Sequence, residues 1–254
     1  MQSLKLDGGI AMEIEGKRLL VTGANRGLGR ALALACLGAG AREVLAGARQ
    51  PESLENLRET LQDGRLMPVR LDVTSEDDVH AAADLGRVDI LINNAGVCVY
   101  GSVLDVGIGE LQQEIEVNYL GALLMARAFA PAMIAHGNGL IVNVASILAK
   151  VNLPALGNYC ALKAALLSLS QALRGDLREK GVRVITVLPG TIDTDMSRAF
   201  GGPKMSPEQA ASEIIEAIRA ETIETPIGDA AREVMAGLRS DPLAIERSFA
   251  EYRA

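Results

Sequence analysis

Short aliphatic runs alternate with longer Ala/Leu-rich segments along most of the chain, and this alternation constrains the fold more than any other feature. The segment "KRLLVTG" (17–23) reads as a strand entering a turn, and "RALALACLGAG" (30–40) as a helix ended by glycine. Further strands are expected at "EVLAGA" (43–48), "LMPVRLDV" (66–73), "VDILINNAG" (88–96), "GLIVNVAS" (139–146) and "VRVITVLPG" (182–190). Pro68 marks a strand start or a sheet edge, because proline cannot donate to a ladder. In "TSEDDVHAAADL" (74–85), Thr74 with Asp77 has the form of a capping box opening a helix. Long helices are expected over residues 110–136 and 155–180. Shorter ones follow at 206–220 and 240–252, each with a polar cap ahead of proline. Repeated β-α units with short connections predict a parallel sheet with helices on both faces. In such folds ligands collect at the carboxyl ends of the strands, where strand order reverses.

Composition narrows the function classes. With 254 residues the chain can bury a sizeable core. Apolar residues make up 49% of it and aromatics only 3%, so that core is aliphatic. A net charge of −7 is the wrong sign for a general nucleic-acid binder. Cys36, Cys98 and Cys160 are odd in number and lack a C-x-x-C pattern, and His80 and His136 stand alone. Reduced thiols and no metal centre are expected. Arg127 and Arg174 interrupt the apolar helices, so no bilayer span is expected. The N-terminus lacks the apolar centre of a signal peptide, and a cytoplasmic location follows as the default. Residues 1–11, ahead of Met12, read as an extension outside the fold.

The loop "TGANRGLGR" (22–30) leaves the first strand and opens the first helix. Gly23 permits a tight turn, Gly27 lets the backbone approach a phosphate, and Gly29 allows close packing of helix on strand. Asn25, Arg26 and Leu28 complete the loop. The free N–H groups of the helix N-terminus suit a pyrophosphate. The spacing G-x-x-x-G-x-G differs from the common dinucleotide fingerprint, and no Gly-Lys-Ser/Thr of a P-loop is present. The second strand, "EVLAGARQ", ends without the carboxylate that would bond the ribose 2′-OH of NAD. Arg49 stands there instead. With Arg26 it could clamp the 2′-phosphate of NADP, unless both are plain surface arginines. Asp72 and Val73 end the third strand and would flank an adenine, although Asp72 fits a simple turn former equally well.

The stretch "NYCALK" (158–163) places Tyr159 and Lys163 on one helical face. A free tyrosine, with a pKa of ~10, is a poor proton shuttle near neutrality, and a neighbouring ammonium favours its phenolate. Ser146, closing the 139–146 strand, can stabilise an oxyanion.

Taken in order, "TGANRGLG", "LDV", "NNAG", "VNVAS", "YCALK" and "LPGTIDT" resemble the motifs of the short-chain dehydrogenase/reductase family. The resemblance implies an α/β fold, a single Rossmann-type domain with a doubly wound parallel sheet of about seven strands. That domain would occupy residues 12–254, with a substrate loop around 191–206. It also implies hydride transfer with NADP(H), and a catalytic set of Asn118, Ser146, Tyr159 and Lys163. Asn118 would order a water beside Lys163, and Lys163 would also hold the nicotinamide ribose. Asn94, Ala95 and Gly96 would pass beside the cofactor ribose. Pro189, Gly190, Ile192 and Thr194 would grip the nicotinamide carboxamide. Substrate contacts are expected around 97–100, 147–156 and 196–205, mostly apolar, for a moderately hydrophobic carbonyl or alcohol. The segments 110–136 and 155–180 would pair subunits into a homodimer or homotetramer. Two other readings stay open: a reductase of 3-oxoacyl thioesters, and a non-catalytic NADP-sensing protein.

Overall fold

The computed structural model describes residues 13–252, so the expected extension over 1–11 lies outside it. Seven strands form one parallel sheet among these residues: β1 (Arg18–Thr22), β2 (Glu43–Ala48), β3 (Leu66–Arg70), β4 (Ile90–Asn93), β5 (Gly139–Val144), β6 (Val182–Pro189) and β7 (Glu224–Ile227). Their spatial order is β3-β2-β1-β4-β5-β6-β7, so the chain reverses direction across the sheet between β1 and β4. Leu19, Leu20 and Val21 pair with Val44, Leu45 and Ala46 on one side and with Ile90, Leu91 and Ile92 on the other. Pro68 lies on β3, which pairs only with β2 at the sheet edge, as its missing donor requires.

Alternation along the strands divides the core. Leu19, Val21, Ile90, Ile92, Leu140 and Val142 face one way. There they meet α1 (Gly27–Gly38), α2 (Glu52–Leu61) and α7 (Pro207–Ala220) through residues such as Leu32, Leu54 and Ile214. Leu20, Leu91, Ile141 and Val184 face the other way. They meet α3 (Glu76–Asp84), α5 (Gly121–His136) and α6 (Gly157–Leu177) through Val79, Met125, Phe129 and Leu177. Almost every contributor is aliphatic, as the composition predicts. The C-terminal residues form a hairpin of α8 (Asp229–Ser240) and α9 (Pro242–Glu251).

Three expectations are corrected. The cap of α3 is Ser75, whose side chain accepts from the Asp78 N–H at 3.2 Å, one residue beyond the expected Thr74. Thr74 instead donates to Asp72 at 2.8 Å. The helix expected over 110–136 is not regular: α4 (Ile108–Ile115) and α5 are joined by a π-helical turn, Glu116–Leu120, around Asn118. Finally, Arg127 does not keep this run below span length. Ile108–His136 is long enough by that measure and contains an 18-residue window with a mean hydropathy of 1.4. Its inward face, Met125, Phe129 and Met133, is packed on the sheet.

Candidate active site

The glycine loop and "NNAG" meet at the point of reversal. Thr22, the last residue of β1, is buried, and its hydroxyl accepts the backbone N–H groups of Asn94 and Ala95, each at 2.9 Å. The Asn94 amide donates back to Thr22 O at 2.9 Å. This splice fixes the carboxyl ends of β1 and β4 against each other. Gly29 sits inside it: a Cβ there would stand 2.1 Å from Gly23 O and 2.5 Å from the Asn94 amide nitrogen. The first turn of α1 carries no acidic residue, and Arg26 at its cap makes no side-chain capping bond. Backbone donors at this helix end suit a phosphate-bearing ligand.

The flanking candidates divide. Arg49 is exposed at the end of β2. Arg26 is also exposed, and its Nη1 reaches Asp195 Oδ2 at 3.1 Å, across the crevice on the 191–206 loop. Asn25 is half-buried, and the Leu28 side chain packs on the core, leaving its backbone for a ligand. Asp72 is a turn former: its Oδ1 accepts from Thr74 N at 3.0 Å. Val73 is buried against Gly121, so its side chain belongs to the core. Beyond β6, Gly190 N donates to Ile227 O at 3.1 Å, which holds the Pro189–Gly190 corner on β7. Ile192 packs on the core, and the Thr194 methyl group faces Gly27, at 3.1 Å from a built Cβ. The 191–206 loop is closed at its base by Asp193 N to Met205 O at 2.8 Å and Met205 N to Thr191 O at 3.0 Å.

The four expected catalytic residues converge beside this crevice. Ser146 follows β5, accepts from Leu148 N at 3.1 Å and lies near enough to Tyr159 to pull its pKa down. Tyr159 lies in the first turn of α6. Lys163 follows one turn later, only 4% exposed, with Nζ 5.5 Å from the Tyr159 ring centroid and donating to Val144 O at 3.0 Å. Asn118, on the π turn, pairs with the Val97 backbone both ways: Nδ2 donates at 2.8 Å and Oδ1 accepts at 3.3 Å. Gly96 separates Asn118 from Lys163. A Cβ there would lie 2.9 Å from Asn118 Oδ1 and 3.7 Å from Lys163 Nζ.

Electrostatics depart from the sequence-based expectation for tyrosine. Burial pushes Tyr159 upward, and the nearby Ser146 hydroxyl opposes that only partly, so the phenol is neutral in the protein alone. The same burial pulls Lys163 down to about 8.

Several neighbours were given no individual site role from the sequence. Asn93, Asn143 and Ser170 form a buried chain linking β4, β5 and α6, with bonds of 2.9 and 2.8 Å. Glu114 is fully buried, and its Oε1 accepts from Val99 N at 2.8 Å. Its Oε2 is buried without a hydrogen-bond partner. Burial raises its carboxyl pKa. Cys98 and Cys160 join Leu153, Leu156 and Tyr159 in an apolar cluster, and burial pushes Cys98 up to about 12, so these are protonated thiols. The expected substrate segments supply Cys98, Leu148, Leu153, Leu156 and Phe200 to this cluster. Phe249 of α9 joins them, from a segment no motif marks.

Comparisons with known proteins agree on the family and the fold. A family model described as short chain dehydrogenase matches residues 17–203. An uncharacterized oxidoreductase of Staphylococcus aureus strain USA300 is 33% identical over 210 residues, covering 80% of this chain and 90% of its own length. The crystal structure of a short chain dehydrogenase from Burkholderia cenocepacia, in complex with NADP, superposes with a TM-score of 0.88. It is 41% identical and is covered over 94% of this chain and 99% of its own. A short-chain dehydrogenase from Streptomyces avermitilis superposes with a TM-score of 0.80 at 29% identity, over 92% of this chain and 96% of its own.

Proposed function

The chain belongs to the short-chain dehydrogenase family, and from that premise we propose that it is an NADP(H)-dependent oxidoreductase. In this reading it interconverts a carbonyl and a secondary alcohol on a moderately hydrophobic small molecule. The observation that carries it is the convergence of Ser146, Tyr159, Lys163 and Asn118 beside a glycine loop shaped for a phosphate.

The cofactor, when bound, supplies or accepts hydride at its nicotinamide ring. The protein's residues do the rest. The α1 N-terminus holds the pyrophosphate, and Arg26 and Arg49 take the 2′-phosphate. Ser146 donates to the substrate oxygen and stabilises its developing charge. Tyr159 gives its phenolic proton to that oxygen during reduction. A neutral phenol is the form that reduction needs at its start. The Lys163 ammonium then stabilises the phenolate left behind. Val144 O and the Asn118 clamp on Val97 fix the positions of these groups. Support for self-association comes from the exposed Val103, Leu104, Ile108 and Leu120, an apolar set beside α4 and α5 that a homodimer or homotetramer would cover. A cytoplasmic location accompanies this reading.

The test follows NADPH absorbance with ketones and aldehydes. Tyr159→Phe is expected to lower kcat at least about a hundredfold while leaving NADPH binding intact. Full activity of that variant would remove tyrosine from the mechanism. Arg49→Ala is expected to raise the KM for NADPH and leave that for NADH unchanged.

A further inference from the structure

Five of the seven aromatic residues in this chain gather on one side of the active site. They come from four separate segments. Tyr100 follows β4, Tyr159 opens α6, Phe200 lies on the 191–206 loop, and Phe249 and Tyr252 lie at the end of α9. Three of the rings form a continuous path. Tyr100 and Phe200 have centroids 5.3 Å apart at 45°, and Phe200 and Tyr252 are 6.4 Å apart at 53°. Both pairs lie within the range of favourable tilted contacts. Phe200 and Phe249 pack on the apolar cluster that contains Tyr159 itself.

The path is built rather than incidental. The Tyr100 hydroxyl donates to Met196 O at 2.5 Å, tying the segment after β4 to the 191–206 loop. Met235 of α8 packs on the cluster of Ala145, Leu166 and Leu188 at the strand ends. Ile245 of α9 fills the space over Gly237 of α8, where a Cβ would stand 2.4 Å away. The hairpin therefore delivers Phe249 and Tyr252 to the site from a fixed base. Both faces of the sheet are filled with aliphatic residues and Phe129 alone among aromatics, so packing in this protein does not call for rings. Tyr100 and Tyr252 remain 39% and 43% exposed, which leaves aromatic surface open for a ligand.

Building on the proposed oxidoreductase reading, we propose that Tyr100, Phe200, Phe249 and Tyr252 form a substrate wall selecting carbonyl compounds that carry an aromatic ring. In this arrangement α9 is part of the binding site.

The test compares an aryl methyl ketone with a straight-chain methyl ketone of equal carbon number, using the full chain and NADPH. Phe249→Ala and Phe200→Ala are each expected to raise KM for the aryl ketone about tenfold, the effect of losing one ring contact, with kcat changed less than about threefold. KM for the straight-chain ketone is expected to change less than about threefold. Phe249→Leu, which keeps apolar bulk, is expected to restore the straight-chain substrate fully and the aryl ketone only partly. Equal losses for both ketones, or no loss for either, would overturn the wall. Binding of the unreactive aryl alcohol 1-naphthol, measured by calorimetry on the NADPH complex, separates the two readings. Naphthol binding lost in Phe249→Ala, with no ketone turned over by the parent protein, keeps the wall and rejects the carbonyl-reductase reading. Ketone turnover without naphthol binding does the reverse.

Discussion

Gly29 shows how much of the site rests on one missing methyl group. Its Cβ position is taken by Gly23 O and the Asn94 amide, the two groups that join the glycine loop to β4. Gly29→Ala is therefore expected to cost about 3 kcal/mol or more, because backbone must move. Gly38, on the same helix, has nothing within 4 Å of its Cβ position, so Gly38→Ala is expected to stabilise by roughly 0.5–1 kcal/mol. Urea midpoints of the two variants should move in opposite directions. Lys163 carries a second consequence. Its folded pKa, about 8, lies below the 10.5 of a free lysine. Between these values the unfolded chain binds more protons, so stability rises with pH across that window. Below pH 8 the cost of burying the cation is present in full, about 3 kcal/mol from the pKa difference. Relative to Lys163→Met, the parent protein should gain stability from pH 8 to 10, measured by denaturant unfolding at fixed ionic strength. A flat difference would mean that Lys163 is not desolvated. Neither Thr22, although it opens the glycine motif, nor Glu114 was given a role from the sequence, although both shape the site. Their importance comes from neighbours far along the chain, Asn94 and Ala95 for one and Val99 for the other. A lone threonine or glutamate carries no local pattern that reveals such partners.

Elements were legible where apolar residues repeat and unclear where they are sparse. The β1, β2, β5 and β6 segments are rich in buried aliphatics, and each was read within a few residues of its observed bounds. β7 (Glu224–Ile227) has four residues with one buried, and α2 carries few apolar side chains, so neither stands out in the sequence. The π turn at Asn118 was hidden for another reason. Its residues have ordinary helical preferences, and the extra residue is accommodated where Asn118 clamps Val97 and Gly121 approaches Val73. The α3 cap is a sharper case, since Thr74 and Ser75 are both good caps. Asp72 decides between them by taking the Thr74 hydroxyl, leaving Ser75 for the helix. Ser75→Ala is expected to cost about 1 kcal/mol and Thr74→Ala less than about 0.5 kcal/mol, both read from thermal or urea unfolding. The reverse order would return the cap to Thr74.

At the scale of the molecule, strand order places the glycine loop, the "NNAG" segment and the proposed catalytic side chains around one crevice, although Thr22 and Lys163 lie 141 residues apart in sequence (163 − 22). The motifs marked this crevice because backbone geometry and chemistry restrict their residue types. The aromatic wall left no such mark, because its members share only a position in space. An exposed ion pair crosses the crevice, Arg26–Asp195, in which Asp195 is also bonded by Arg198. Open to water, such a pair contributes little stability, at most about 1 kcal/mol. Its effect lies elsewhere. Under the proposed function Arg26 is wanted by the cofactor's 2′-phosphate and by the loop over the substrate at once. Asp195→Asn is expected to tighten NADPH a few-fold and leave NADH unchanged, as read by fluorescence titration. Linkage is reciprocal, so a ligand that draws the loop toward Arg26 must weaken the cofactor by the same free energy that the cofactor costs the ligand. A guanidinium shared in this way makes the two halves of the reaction compete before any chemistry begins.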